Sequence, residues 1–308
     1  MGVFVFLPLV LPLTAWPIAR LAAQHLHPRA ATWLLSAVAV VLAVCSTLCL
    51  VLLMVVGTAQ LPGNPLPDGW SDPEVRAAVP YDEVAGTVAI PALLVVLAAC
   101  TRVAVKHRLI RRRAAKALAG LPAAPVAVLP DDTPYAYALP GGRGRIVVTT
   151  GMLAALDSPE RRALFAHERA HLTGRHHRFL LTARLAACAN PFLRPLRTAL
   201  SYTTERWADE EAASSVGSRR TTARAVAKAA LITRGAPVAT LAGFAAAGPV
   251  PRRVAALLAP APAAVAWPSA FTTAGLAAWA AAAGAAASAF SSGNAAVTLF
   301  CILKAAAL

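Results

Sequence analysis

The stretch DSPERRALFAHERAHLTG, residues 157–174, decides the fold. Asp157 is a cap residue, Pro159 follows at the first helical positions, and Glu160 puts an acid in the first turn. That order predicts a helix from Pro159 to about Gly174. Inside it, His167-Glu168-Arg169-Ala170-His171 is an H-E-x-x-H sequence. At 3.6 residues per turn, His167 and His171 lie one turn apart on one face. Both imidazoles can then reach one metal ion at about 2.0–2.1 Å. Glu168 lies about 100° further round the helix. From there its carboxylate can take a proton from an activated water without ligating the metal.

A catalytic zinc usually takes a third protein ligand and keeps one position for water. His177 completes the metzincin spacing H-E-x-x-H-x-x-G-x-x-H. That class also needs a methionine turn downstream, and Met1, Met54 and Met152 all lie upstream. Arg175-His176-His177-Arg178 therefore reads as a polar helix end, where cations suit the dipole. Glu205 is the preferred ligand. Residues 205–211 concentrate four of the chain's 14 acids, and Glu205 and Asp209 stand one turn apart. Such a pair divides the work, with Glu205 on the metal and Asp209 orienting a ligating imidazole. Glu210 and Glu211 read as a solvated acidic face.

Around the helix, Tyr135–Leu139 and Arg145–Thr150 read as strands joined by Pro140-Gly141-Gly142-Arg143-Gly144, a hairpin signal. Pro122 to Pro134 reads as a loop with short extended pieces. Phe179 to Leu200 is a second helical stretch, broken at Asn190-Pro191. Its Arg184, Arg194 and Arg197 make it a packed or membrane-surface helix rather than a span. Helices over Thr203–Ser214 and Thr221–Thr233 follow, and Pro249 to Pro268 reads as an Ala/Pro connection.

The composition places this block in a membrane protein. Hydrophobic residues make up 58% of the 308 and charged residues only 14%, against a usual charged share of about 25%. Mean hydropathy is +0.60. This excludes disorder, and no G-X-Y period or sustained heptad points to collagen or coiled coil. Spans of about 20 apolar residues are expected at 3–19, 32–58, 84–105 and 269–290. The first carries Pro8, Pro12 and Pro17. The chain divides into three spans over 1–105, a polar block over 106–262, and a fourth span with a short tail over 263–308.

The formal charge of +15 is membrane topology rather than nucleic-acid binding, which is not expected. Arg20 and Arg29 lie between the first two spans. Asp68, Asp72, Glu74, Asp82 and Glu83 against Arg76 lie between the next two. Arg102, Lys106, Arg108, Arg111, Arg112, Arg113 and Lys116 follow the third. The positive-inside rule places the block from Lys106 to Pro262 in the cytoplasm of a multi-pass cell-membrane protein, with both termini outside. The basic run faces anionic lipid. The cysteines, Cys45, Cys49, Cys100, Cys188 and Cys301, form no C-x-x-C pair and indicate neither disulfides nor a thiolate metal site.

Several pieces together resemble the membrane zinc peptidases of the BlaR/MecR type, relatives of the Ste-type CAAX and HtpX-type membrane proteases. They are Ala136-Tyr137-Ala138, residues 147–153 (VVTTGML), residues 166–171 (AHERAH), Arg175-His176, and Glu205-x-x-Ala208-Asp209-x-x-Ala212. The resemblance implies a mainly α, zincin-like (gluzincin) cytoplasmic domain with a small β-hairpin. It also implies zinc on His167, His171 and Glu205, with Glu168 as the base. The hairpin strand becomes the edge along which a substrate chain adds. Antibiotic-sensing members carry a penicillin-binding sensor domain after the last span. The sequence ends at Leu308 without one, so direct beta-lactam sensing is not expected.

The expected activity is zinc-dependent cleavage of a protein in the bilayer or the cytoplasm. The substrate is a repressor or other regulator, as in BlaR/MecR signal transduction, or misfolded membrane protein, as in HtpX-type quality control. A non-catalytic zinc sensor is the alternative, with His176 or His177 closing the site as a fourth ligand. The oxyanion donor is open among Tyr202, Arg219, Arg220 and Arg224.

Overall fold

The computed structural model describes residues 2–64, 66–73, 75, 82–117, 124–141, 144–233, 249–262, 269 and 271–306. It is mainly helical with one small sheet. The tip of the expected hairpin at Gly142 and Arg143, the loop residues Glu74 and Arg76, and residues 263–268 of the Ala/Pro stretch lie outside the described residues.

Residues 2–14 form short helical turns that lead into helix α1 (Ala15–His25). Proline explains the break-up. Pro8 lacks the N–H that an unbroken helix would give to the Phe4 carbonyl, and Pro12 lacks the one owed to the Pro8 carbonyl. Neighbouring serines fill both gaps. Ser291 Oγ donates to Phe4 O at 2.7 Å and Ser46 Oγ donates to Pro8 O at 2.8 Å. An apolar environment requires this repair, because no water is there to make it.

Among the described residues three helices are long and apolar enough to cross a membrane. They are α2 (Pro28–Ala59), α3 (Asp82–Ala117) and, near the end of the chain, Thr273–Ala306. Each exceeds the expected segment. α2 has 32 residues, about 48 Å of helix. α3 runs on through Lys106 without a break, so the basic run is helical. Gly57 on α2 meets Gly86 on α3 so closely that a Cβ on either would strike the other's backbone. Such small-residue contacts let apolar helices pack backbone to backbone.

The remaining block opens with strands β1 (Val126–Leu129), β2 (Ala136–Leu139) and β3 (Arg145–Thr149). Their order is β1-β3-β2, with β1 parallel and β2 antiparallel to β3. β1 lies in the stretch read from sequence as a loop with extended pieces. Among the described residues β2 pairs on one side only, and its other edge borders the neighbouring cleft. Helices α4 (Thr150–Ala155), α5 (Ser158–Thr173), α6 (His176–Ala189), α7 (Arg194–Val216), α8 (Arg219–Ile232), α9 (Val250–Leu258) and α10 (Thr273–Ala306) complete the chain. α9 is a helix where composition suggested only a connection. α10 extends through Asn294–Leu303.

α5 starts on a capping box. The Asp157 side chain accepts from Glu160 N at 2.8 Å, and Glu160 accepts from Asp157 N at 3.0 Å. α6 and α7 form a hairpin broken at Asn190, whose Oδ1 accepts from Phe192 N at 3.0 Å. Its Nδ2 donates to Ser46 Oγ at 3.1 Å, which pins the break to the middle of α2. Ala183 and Ala186 of α6 and Leu193, Leu196 and Leu200 pack into one core with Leu34, Leu35, Val38 and Leu42 of α2. Within a bilayer such contacts are held by close van der Waals packing rather than by transfer from water. The stretch 179–200 is thus a packed hairpin.

Candidate metal centre

The α5 helix brings His167 Nε2 and His171 Nε2 within 3.1 Å of each other. α7 packs against α5 and delivers Glu205 to the same point. Its Oε2 lies 3.6 Å from His167 Nε2 and its Oε1 lies 3.5 Å from His171 Nε2. One ligand atom from each of the three residues falls within 4.8 Å of the others. The structure therefore joins the two segments that the sequence offered separately.

Each of these side chains is held from behind. His167 Nδ1 lies 3.1 Å from Asp209 Oδ1, an ion-pair contact rather than an aligned hydrogen bond. His171 Nδ1 lies 2.8 Å from His176 Nδ1. Arg253 Nη1 lies 2.8 Å from Glu205 Oε2. Arg253 also donates twice to Asp209, from Nε to Oδ2 at 2.8 Å and from Nη2 to Oδ1 at 2.6 Å. Two like-charged carboxylates one turn apart would repel at this depth. The fork of a guanidinium between them removes that conflict.

Burial and these partners set the protonation. Burial alone would lower the His167 pKa, but the Asp209 and Glu205 carboxylates outweigh it and hold it up to about 10. Burial brings His171 down to about 4. It also pushes His176 far down, with the neighbouring histidines adding to the effect. Burial raises Glu205 and Asp209, but Arg253 and the histidines more than reverse this and hold both low. Glu168 is raised, chiefly by burial.

Glu168 faces a cleft lined by Ala136, Tyr137, Ala138 and Pro140 of the β2 edge on one side. His107 and Arg111 of α3, with Leu172 and His177, line the other. Arg111 Nη2 donates to Pro140 O at 3.1 Å and ties the two walls together.

The structure places the remaining sequence candidates as follows. His177 lines the cleft but is not one of the three converging side chains. Residues 175–178 begin α6 instead of ending α5. The polar run thus stands at a helix start and not at the helix end expected from its charges. Gly174 is the reason for the sharp turn, since a Cβ there would strike the His176 ring. Glu210 is not a solvated acid. It pairs with Arg206 at 2.6 Å and with Arg219. Arg224 pairs with Asp157 and Glu160, Tyr202 lies under Arg252, and Arg220 is exposed. None of the four oxyanion candidates lines the cleft. Besides the converging His167 and His171, the side-chain N–H groups that line it belong to His107, Arg111 and His177.

Sequence reasoning missed Arg253 and the role of His176. Arg253 carried one signal, an arginine four residues before Leu257 on the face that α9 buries.

The chain is similar to peptidase family M48, whose family model matches residues 103–193. The match covers the end of α3, the sheet, α5 and α6, and so includes His167, Glu168 and His171. Glu205, Asp209 and Arg253 lie beyond it. No curated protein and no solved structure matches the chain. The M48 match and the three long apolar helices together support a membrane metallopeptidase.

Proposed function

We propose that the chain is an integral-membrane zinc endopeptidase of the BlaR/MecR type with a gluzincin site. His167, His171 and Glu205 hold the metal, Glu168 is the base, and Asp209 orients His167. One observation carries this reading: two imidazoles and a carboxylate converge beside Glu168 in a cleft bounded by an open strand edge. The donor set suits zinc, with three protein ligands and a position left for water. Glu205 Oε1 is buried without a hydrogen-bond donor, as a cation-facing oxygen requires. When bound, zinc supplies Lewis acidity to the scissile carbonyl and acidifies water.

The protein residues do the rest. A substrate segment adds to the free edge of β2, where backbone hydrogen bonds align it without regard to sequence. Glu168 takes the proton of the attacking water and delivers it to the leaving amine. Its raised pKa favours proton acceptance. His107, Arg111 and His177 face the substrate carbonyls from across the cleft. His176 already bonds to His171, which favours a site open to water over a closed structural one.

The substrate is a cytoplasmic regulator such as a repressor, or a membrane protein. In lipid, Glu168→Gln should keep one zinc per chain and lose about 10²–10⁴-fold in cleavage of an unfolded protein substrate. Glu205→Ala should lose the metal. Wild-type turnover in Glu168→Gln would move the chain out of the proteolytic class, and full zinc in Glu205→Ala would remove the third ligand.

A further inference from the structure

A second cavity, of about 740 Å³, lies on the far side of the α6 hairpin helix from the cleft. α2 forms one wall with Arg29, Trp33, Ala37, Val40 and Val41, and α6 forms the other with Arg175, Arg178 and Phe179. Trp207 closes the back. Among the described residues no carboxylate lines it. Arg29, Arg175 and Arg178 are all exposed, and among the described residues none has a carboxylate partner. Three unneutralised guanidiniums therefore stand at one end of an apolar groove.

The groove's depth follows from the helices. Counting about 30 Å, or 20 residues, back along α2 from Ala59 reaches the neighbourhood of Val40. Arg178 is 12 residues above the Asn190 break, which is bonded to Ser46. That places Arg178 about 18 Å above Ser46, and so about 9 Å beyond the hydrocarbon edge near Val40, at the level of the headgroup layer. Exposed Trp16 and Trp279, with Arg20 lying over Trp16 at 5.6 Å, belong to neighbouring helices packed in the same half of the bundle. Tryptophan and arginine favour the layer of lipid headgroups. The apolar end of the groove is continuous with exposed Val40 and Val44 on the outer face of α2. Arg175 is also the only non-glycine with a left-handed backbone among the described residues, at φ 52°. Glycine or asparagine would take that conformation at lower cost.

We propose that this groove binds an anionic phospholipid, its phosphate held by Arg29, Arg175 and Arg178 and an acyl chain laid along Trp33, Val40 and Val41. A diffuse basic surface would attract anionic lipid without selecting one. Here the three cations converge at the head of a chain-sized apolar slot. The site also shares a wall with the metal centre. Trp207 lies between the Arg29 guanidinium, 5.4 Å from its ring, and His176, 4.6 Å away, which in turn contacts His171. The proposal requires only the membrane assignment and does not depend on catalysis.

The test uses full-length, zinc-loaded protein in vesicles of phosphatidylcholine with increasing phosphatidylglycerol. Bound lipid is counted by native mass spectrometry, and acyl-chain contact is read by quenching of Trp33 fluorescence with brominated phosphatidylglycerol, taken as the difference from Trp33→Phe. Wild type should retain one phosphatidylglycerol per chain. The Arg29→Gln, Arg175→Gln, Arg178→Gln triple variant should bind it at least ten-fold more weakly with zinc content unchanged. Arg112→Gln with Arg113→Gln, outside the groove, should bind as wild type does. If the triple variant fails to fold, Ala37→Trp fills the slot while leaving every arginine in place, and should displace the lipid equally. Retention by the triple variant or by Ala37→Trp, equal retention of phosphatidylcholine, or displacement by millimolar inorganic phosphate alone would each overturn the proposal. So would occupation of the groove by a protein segment.

Discussion

Arg253 changes how the carboxylate pair of the centre works. Glu205 and Asp209 are both buried and both held ionised, and Arg253 is the cation they share. Removing one partner of a buried ion network leaves a charge unpaired, at a cost of about 3–5 kcal/mol. Arg253→Gln should therefore lower the melting temperature and weaken zinc affinity by about 10–100-fold, as outer-sphere substitutions do. Chelator competition measures the affinity. An unchanged value would show that Glu205 and Asp209 are positioned by α7 alone. The contrast in legibility is physical. His167, His171, Glu205 and Asp209 announce themselves because ligand and partner sit at helical spacing within one element. Arg253 reaches Asp209 across 44 residues, from a helix whose Ala/Pro composition resembles a connection. His176 was visible as a residue but not in its role, because the turn at Gly174, not helical spacing, brings its ring onto His171.

At the scale of elements, the start of α5 bears directly on the centre, since this helix carries two of the three proposed ligands. Glu160 closes the capping box and also meets Lys228 at 3.0 Å and Arg224 at 3.3 Å from α8. Burial would raise its pKa, but the Asp157 amide and these two cations outweigh it and hold it below the ordinary 4.5. A carboxylate lowered on folding adds stability above its unfolded pKa and loses it as pH falls through the folded one. Glu160→Gln should thus be less stable than wild type at neutral pH. The difference should be roughly 0.5–1 kcal/mol, since Arg224 and Lys228 are solvent-screened. The gap should close as pH drops below 4.5. Thermal melts at matched ionic strength read this, and a gap that persists in acid would assign the effect to packing instead. The capping box was legible because its residues are three apart. The α8 cations were not, being more than 60 residues away. The α6–α7 hairpin shows the same limit. Its break at Asn190-Pro191 was plain, but its pinning to Ser46 depends on contacts 144 residues apart.

For the whole molecule, the ends of the long helices differ in charge, and this predicts an orientation. α2 and α3 run antiparallel, with Gly57 against Gly86 near one end. Beyond that end lie Asp68 and Asp72. At the opposite end α3 carries Arg102, Lys106, Arg108, Arg111, Arg112, Arg113 and Lys116, α1 carries Arg20, and α2 carries Arg29 in its first turn. The metal centre stands at this basic end, because α6 and α7 pack along the first half of α2. Lys and Arg near span ends are retained in the cytoplasm, whereas Asp and Glu have little influence on orientation. Nine basic residues at one end therefore outweigh anything at the other, and the charge pattern predicts the metal block on the cytoplasmic side. A cysteine at Arg220, exposed on α8, should resist a membrane-impermeant maleimide in intact cells and react once they are permeabilised. A cysteine at Asp72 should react in intact cells. Labelling of the Arg220 position without permeabilisation, with the Asp72 position protected, would reverse the orientation. It would also place cleavage outside the cytoplasm, where no cytoplasmic repressor could be its substrate.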